Sequence, residues 1–148
     1  MENPASETVF DLDGLVYRDT LEFAVRNQDG VETTWRIVLA GPGHPATLAS
    51  IDARNTAVRR RQLEKEAAER KGRVWTPPLA SELNAEFADY FAQRILSWTP
   101  VKIGGQLLAH SPENARRLLF EPAFAFVANQ IVEKAGALED FFAKPAKA

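Results

Sequence analysis

Cysteine is missing from this chain, and histidine and methionine are scarce: the 148 residues contain two histidines and one methionine. The lack of cysteine excludes a disulfide framework, a thiolate zinc site and a cysteine nucleophile. Long apolar runs are missing as well, since no stretch approaches the ~18 apolar residues of a membrane-spanning helix. The first ten residues lack the basic start and apolar stretch of a signal peptide. We therefore expect a protein of a reducing compartment, with no membrane partner.

The remaining composition is typical of a globular protein. Hydrophobic residues make up 45% and charged residues 26% of the chain, as in ordinary soluble domains. A chain of this length usually forms one domain around one core. We expect a single α+β domain over residues 1–142 and a disordered tail over residues 143–148, which read AKPAKA.

Charge is distributed unevenly along the chain. The net charge is −2, yet residues 1–40 carry −5 and residues 52–73 carry +4. Opposite charge in two parts of one chain favours contacts within the molecule, or between copies, as readily as it favours nucleic-acid binding.

Two neighbouring segments have the alternating pattern of β-strands. Apolar and polar residues alternate in Thr20–Arg26 and again in Val31–Ala40, and the second segment is rich in β-branched and aromatic residues. The residues between them, Asn27–Gly30, favour a turn. The pattern predicts an antiparallel hairpin, to which Thr8–Leu12 adds a short edge strand.

Helical patterns dominate the rest of the chain. Residues 46–71 contain neither proline nor glycine, but their thin apolar stripe predicts a largely solvated helix. Residues 79–98 have an apolar residue at every fourth position and predict a central amphipathic helix with Thr76 as its cap. Downstream we expect a Gly-Gly hairpin over residues 101–107, a helix starting at Ser111–Pro112 and a helix over residues 122–135.

The predicted fold class is therefore α+β. A small N-terminal antiparallel hairpin or sheet is followed by about four or five helices packed around the central helix 79–98. Because the strands precede the helices in the chain, the pattern does not predict a doubly wound parallel sheet.

The segment Val9–Val16, VFDLDGLV, contains the motif with the most chemical interest. Its Asp11-x-Asp13 pair resembles the nucleophile motif of haloacid dehalogenase-like phosphatases, which implies Mg²⁺-dependent phosphoryl chemistry. That fold needs an apolar parallel strand before the motif, and the preceding Ser6–Phe10 is short and polar. No strand-helix alternation follows. We interpret the motif as an exposed turn or edge strand; a calcium loop lacks its further ligands.

No catalytic, cofactor or metal site emerges from the other polar residues. His44 and His110 each lie in a loop beside proline or serine, and no spacing selects a partner carboxylate or nucleophile for either. Capping or turn roles are the favoured interpretation. We expect a protein that is not an enzyme.

Binding to a macromolecule is the remaining class of function. The basic stretch 54–73 offers phosphate-neutralising arginines, but glutamates interleave with them and no nucleic-acid motif is present, so nucleic acid is an unlikely partner. An aromatic pair next to the tail can serve as a docking element for another protein. The candidate partner-binding residues are Arg59, Arg60, Arg61, Trp75, Phe141 and Phe142.

Several segments, taken in chain order, resemble the tail assembly chaperones of long-tailed bacteriophages. The pattern covers roughly residues 8–142. It consists of a hairpin ending in Leu39–Pro45, a charged helix, a Trp98-x-Pro100 segment followed by Ile103–Gly105, the string Ser111–Ala115, and a closing helix that leads to Phe141-Phe142. These motif positions fit turns and caps, so the resemblance assigns no binding residue.

The resemblance implies a non-enzymatic function in the host cytoplasm. Such chaperones bind the long helical tape measure protein until tube subunits polymerise around it, and they are not retained in the mature virion. Many copies on one client, or a homo-oligomer, would give avidity to weak sites. Two alternatives stay open: a nucleic-acid-binding protein that uses the basic helix 54–73, and a structural tail or connector component.

Overall fold

The fold begins with a three-stranded antiparallel sheet. The structure is a computed structural model that describes residues 9–143. Strands β1 (Thr20–Arg26), β2 (Glu32–Ala40) and β3 (Ile95–Trp98) lie in the order β1-β2-β3. The predicted hairpin is confirmed, with Leu21 opposite Leu39 and Phe23 opposite Ile37.

Helices follow the hairpin, which confirms the α+β class. In residues 9–143 the α-helices are α1 (Pro45–Arg70), α2 (Ala80–Ala92), α3 (Pro112–Phe120) and α4 (Ala125–Gly136). The predicted Gly-Gly hairpin is present as β4 (Lys102–Ile103) and β5 (Gln106–Leu107). Short 3-10 helices span Leu12–Gly14, Pro122–Phe124 and Leu138–Phe141. None of the helices in the described part is long and apolar enough to cross a membrane.

Side-chain caps fix the starts of two helices. His44 Nδ1 accepts a hydrogen bond from the backbone N–H of Ala46, and Ser111 Oγ accepts one from Asn114. Proline follows each cap, where its missing N–H costs nothing. The prediction of Thr76 as a cap is wrong, because α2 begins after Leu79 and has no side-chain cap.

The predicted helix 79–98 is too long at its C-terminal end. Helix α2 ends at Ala92, and Ile95–Trp98 forms β3, which pairs with β2. Ile95 continues the apolar spacing of four and Trp98 follows three residues later, which also fits a helix, so the pattern alone did not reveal the break. The unpaired edge of β2 supplies the competing interaction, because an extended segment there satisfies backbone groups that would otherwise stay open.

The apolar stripe of α2 is also less central than predicted. Leu79, Leu83 and Phe87 are exposed, and α2 contributes Ala88 and Ala92 to the core instead. The core lies between one face of the sheet and helices α2, α3 and α4. Its buried members are Phe23, Val25, Ile37, Leu39, Ala88, Ala92, Ile95, Ala115, Leu119, Ala128, Ile131 and Ala135.

The two ends of the described chain lie side by side. The backbone N–H of Arg18 donates to the carbonyl of Phe141 at 2.6 Å, and Ala143 donates to Val16 at 2.7 Å. Residues 9–12 form no strand, so that part of the predicted edge strand is wrong, and Thr8 lies outside the described residues. Of the predicted disordered tail, Ala143 is ordered against Val16, and residues 144–148 lie outside the described residues.

Candidate protein-binding site

Helix α1 supplies one long side of the candidate site. It has 26 residues, of which only Thr47 and Ser50 are buried, so it packs lightly on the remainder of the fold, as predicted. Four alanines recur along one face at spacings of three and four residues, namely Ala46, Ala49, Ala53 and Ala57. Residues at these spacings lie above one another on a helix, so α1 presents a stripe of methyl groups, which we call the alanine floor of the candidate site.

This stripe faces an open groove of about 760 Å³ between α1, α2 and the start of α3. Away from α1 the groove is lined by Tyr90 of α2, Gln93 just after α2, Ile95 of β3, and His110 and Pro112 at the start of α3. The His110 ring packs edge-on against Trp98 with centroids 4.9 Å apart, and its Nε2 lies 3.1 Å from the carbonyl oxygen of Ile95. His110 and the part of the groove that it lines are therefore held in place by strand β3 of the sheet.

Side-chain pairs hold the walls of the groove in place. Arg61 of α1 forms a half-buried salt bridge with Glu86 of α2. The guanidinium of Arg54 lies 5.3 Å from the Tyr90 ring centroid, a cation–π contact. On the other side, Arg116 Nε of α3 donates to Asp89 Oδ1 at 2.7 Å.

The groove carries no net charge. Its charged lining residues are three arginines and three acids: Arg54, Arg60, Arg116, Glu86, Asp89 and Glu113. Two of the acids are already paired with arginines. An apolar floor with mixed charge at the rim suits an amphipathic polypeptide better than a phosphate backbone, which requires an excess of cations.

The six candidate partner-binding residues do not form one surface. Arg59 and Arg60 are exposed on α1, whereas Arg61 turns inward to Glu86. Trp75 is half-buried under the ammonium group of Lys65, whose Nζ lies 5.4 Å from the ring centroid. Of the six, only Arg60 lines the groove.

Phe141 and Phe142 lie at the other end of α1, near its first turn. Phe142 packs on Tyr17 with ring centroids 5.6 Å apart, and Tyr17 Oη accepts a hydrogen bond from the Gly43 backbone. Phe141 is fully buried, so its ring is not available to a partner in the way that the docking interpretation of the pair requires. The pair anchors the C-terminal segment, because burial of the apolar Phe141 ring stabilises the position of that segment.

Sequence reasoning missed the residues that line the groove. The alanines of α1 were treated only as helix formers, although their spacing of three and four was visible in the sequence. Tyr90 and His110 had no such signal, since only the packing of α2 and α3 brings them opposite α1.

The Asp11-x-Asp13 motif has a structural role in the described residues. Asp11 Oδ1 accepts a hydrogen bond from the Asp13 backbone at 2.9 Å and caps the exposed 3-10 turn Leu12–Gly14. All strand pairs within residues 9–143 are antiparallel, so the parallel sheet that the phosphatase motif requires is not present there. No group of three His, Asp or Glu residues in that range could hold a metal ion.

Comparison with known proteins gave no family model, curated protein or solved structure that matches this chain.

Proposed function

We propose that this chain is a non-enzymatic tail assembly chaperone that holds a helical segment of the phage tape measure protein. The observation that carries the proposal is the alanine-floored groove between α1, α2 and α3. It adds a physical site to the sequence resemblance. The protein would act in the host cytoplasm during tail morphogenesis and leave before the virion is complete.

A helix fits this groove because alanine methyl groups allow close approach of two helix axes. Helices pack at about 8–10 Å, and small residues at the contact permit the shorter distance. From Ala46 to Ala57 the floor runs for about 17 Å, or three helical turns. A client helix with apolar residues at i, i+4 and i+7 would place one side chain over each gap between alanines.

The charged side chains at the rim of the groove would set the direction and register of a bound client helix. The mixed charges along it would favour a client helix that carries both signs on its flanks, and a wrong register would bring like charges together. A single site of this size gives modest affinity, so repeated binding along one elongated client would supply the retention that a chaperone needs.

Filling the groove tests the proposal. Ala53 is exposed on its floor, so Ala53→Phe should block a client helix while leaving the fold intact. Binding of a purified helical tape measure fragment should weaken at least ~10-fold, which corresponds to about 1.4 kcal/mol. Leu48→Phe is the matched control, because Leu48 is an exposed α1 residue outside the groove lining. Equal binding by Ala53→Phe and wild type would refute the groove as the client site.

Two further measurements address the alternative functions. A salt-sensitive gel shift that is lost on Arg59→Glu would favour the nucleic-acid-binding alternative. Retention of the protein in purified phage particles would favour a structural tail component. The chaperone proposal predicts no gel shift and no retention in phage particles. It also predicts that co-expression with this protein keeps the tape measure protein soluble.

A further inference from the structure

We infer that copies of this chain associate head to tail, with residues 9–17 of one copy docked on a basic face of α1 of the next copy. We call residues 9–17 the front segment. We call the α1 residues Thr56, Arg59, Arg60, Leu63, Glu64 and Ala67, which carry two positive charges and one negative, the basic ridge. The two surfaces lie on one chain and are complementary in charge and polarity. The inference goes beyond the proposed function and does not depend on it.

The front segment exposes an unusual density of apolar side chains. Their exposed fractions run from 42% at Tyr17 to 76% at Val9, and the full set is Val9, Phe10, Leu12, Leu15, Val16 and Tyr17. Contiguous apolar exposure of this kind marks an interaction site on a soluble protein. Asp11 and Asp13 interleave with these residues, so the surface is both apolar and acidic.

The front segment is already shaped in the single chain. Asp11 caps its 3-10 turn, and the Ala143–Val16 hydrogen bond fixes its base at 2.7 Å. The Tyr17 hydroxyl accepts from the Gly43 backbone at 2.9 Å and donates to Asp19 Oδ1 at 3.0 Å. Docking a surface that is held in this way costs less conformational entropy than ordering a free strand.

The basic ridge has the opposite character. Leu63 is 53% exposed, and Arg59 and Arg60 flank it on the solvent side of α1. A shallow concavity of about 440 Å³ runs along these residues. Within residues 9–143 the one salt bridge of these two arginines joins Arg60 Nε to Glu64 Oε1 at 4.0 Å, and an exposed pair at that distance neutralises little.

The two surfaces do not cover each other in the single chain, where Phe10 is 68% and Leu63 is 53% exposed. Tyr17 of the front segment contacts Gly43, just before α1 begins, whereas Leu63 lies 20 residues further along. A helix rises 1.5 Å per residue, so about 30 Å separates Leu63 from the point where Tyr17 contacts Gly43. Two different complementary surfaces on one chain produce a heterologous contact, which repeats into a ring or an open chain of copies.

Two variants, each defective on one surface, provide the test. The front variant carries Phe10→Ser and Asp13→Lys; the ridge variant carries Arg59→Glu and Leu63→Ser. All four side chains are exposed, so the fold should be retained, and circular dichroism would check this. Neither variant alters the alanine floor of the groove. The control matched to the ridge variant, Lys102→Glu with Leu107→Ser, makes a corresponding charge reversal and the same leucine-to-serine change on the exposed β4–β5 hairpin.

Sedimentation and light scattering would read the result. The mass of the wild type and the control should rise with protein concentration and fall as salt screens the charges. Each variant alone should stay monomeric. An equal mixture of the two should form a dimer and nothing longer, because the front variant retains an intact ridge and the ridge variant an intact front segment.

Three results would overturn the inference: a wild type that is monomeric at about 1 mM, a variant that associates like the wild type, or a mixture that forms no dimer. Client binding separates this outcome from the proposed function. The ridge variant should bind a single tape measure helix as the wild type does, and Ala53→Phe should associate as the wild type does. Either property can therefore fail while the other persists.

Discussion

Arg94 holds Ala40 through both its backbone and its side chain. The carbonyl of Arg94 accepts from the N–H of Ala40 at 2.7 Å, while its guanidinium donates twice to the carbonyl of Ala40, at 3.0 and 3.3 Å. A third donation reaches Ala135 at the end of α4. The side chain is buried and forms no salt bridge within residues 9–143, and the carbonyl end of α4 supplies the partial negative charge that faces it. One residue thus joins β2, the start of β3 and the end of α4.

Arg94→Met should destabilise the protein by about 2–4 kcal/mol. The substitution keeps much of the side-chain volume but removes two donations to the Ala40 carbonyl, which keeps only the 3.5 Å donation of Thr47 Oγ1, and one donation to Ala135. Losing hydrogen bonds to buried carbonyls is the costly part of the change. Urea unfolding would measure it. Arg60→Met, at a position where the side chain is 70% exposed, should change stability by less than about 0.5 kcal/mol. Similar losses in both variants would show that Arg94 is not a structural link.

The hairpin and two of the helix starts were predictable because their determinants are local. Alternation fixes the faces of β1 and β2, and Ser111 with Pro112 specifies a helix start without help from distant residues. β3 was not predictable, because Ile95 and Trp98 fit a helix equally well. Only the open edge of β2 and the grip of Arg94 on Ala40 select the extended form.

The candidate site was harder to predict than the fold. The groove forms where the facing surfaces of α1, α2 and α3 do not pack against each other. The relative positions of the three helices determine this, and no single segment of sequence encodes those positions. The exposed arginines 59 and 60 were visible from composition, but the inward turn of Arg61 depends on Glu86 of another helix. Burial of Phe141 was not predicted, because the residue stands near the end of the chain after Glu139 and Asp140, and no local pattern marks it as a core residue.

Gly41→Ala should destabilise the protein, whereas Gly43→Ala should be tolerated. A Cβ at Gly41 would lie 2.7 Å from Tyr17 Oη and 3.0 Å from the backbone oxygen of Asp19, and backbone cannot easily move away. The expected cost is about 1–3 kcal/mol. At Gly43 the nearest atom would be 3.4 Å away, so the change should stay within about 0.5 kcal/mol. Thermal unfolding of the pair would measure both, and equal melting temperatures would contradict the close approach of Tyr17.

Phe141 should contribute more to the stability of the protein than Phe142. Phe141→Ala removes a fully buried ring and should cost about 3–5 kcal/mol. Phe142→Ala removes a half-buried ring that contacts Tyr17, and about 1 kcal/mol is expected. Chemical denaturation of the two single variants would show the difference. If Phe141→Ala had no effect on stability, the docking interpretation of this pair would return.

Removing the Arg61–Glu86 link should loosen the second half of α1 without unfolding the domain. Beyond Ser50 no residue of α1 is fully buried, so that half depends on contacts such as this salt bridge and the Lys65–Trp75 stack. Helices with few packed residues open locally at a cost well below global unfolding. Arg61→Met should therefore speed amide hydrogen exchange in residues 58–70, leave the exchange of β2 unchanged, and weaken client binding because one wall of the groove moves. The matched change Arg60→Met leaves the link in place and should preserve the exchange pattern of α1. Faster exchange in β2 as well would mean that α1 and the sheet unfold as one unit, and the groove would then be a rigid site instead of one with a mobile wall.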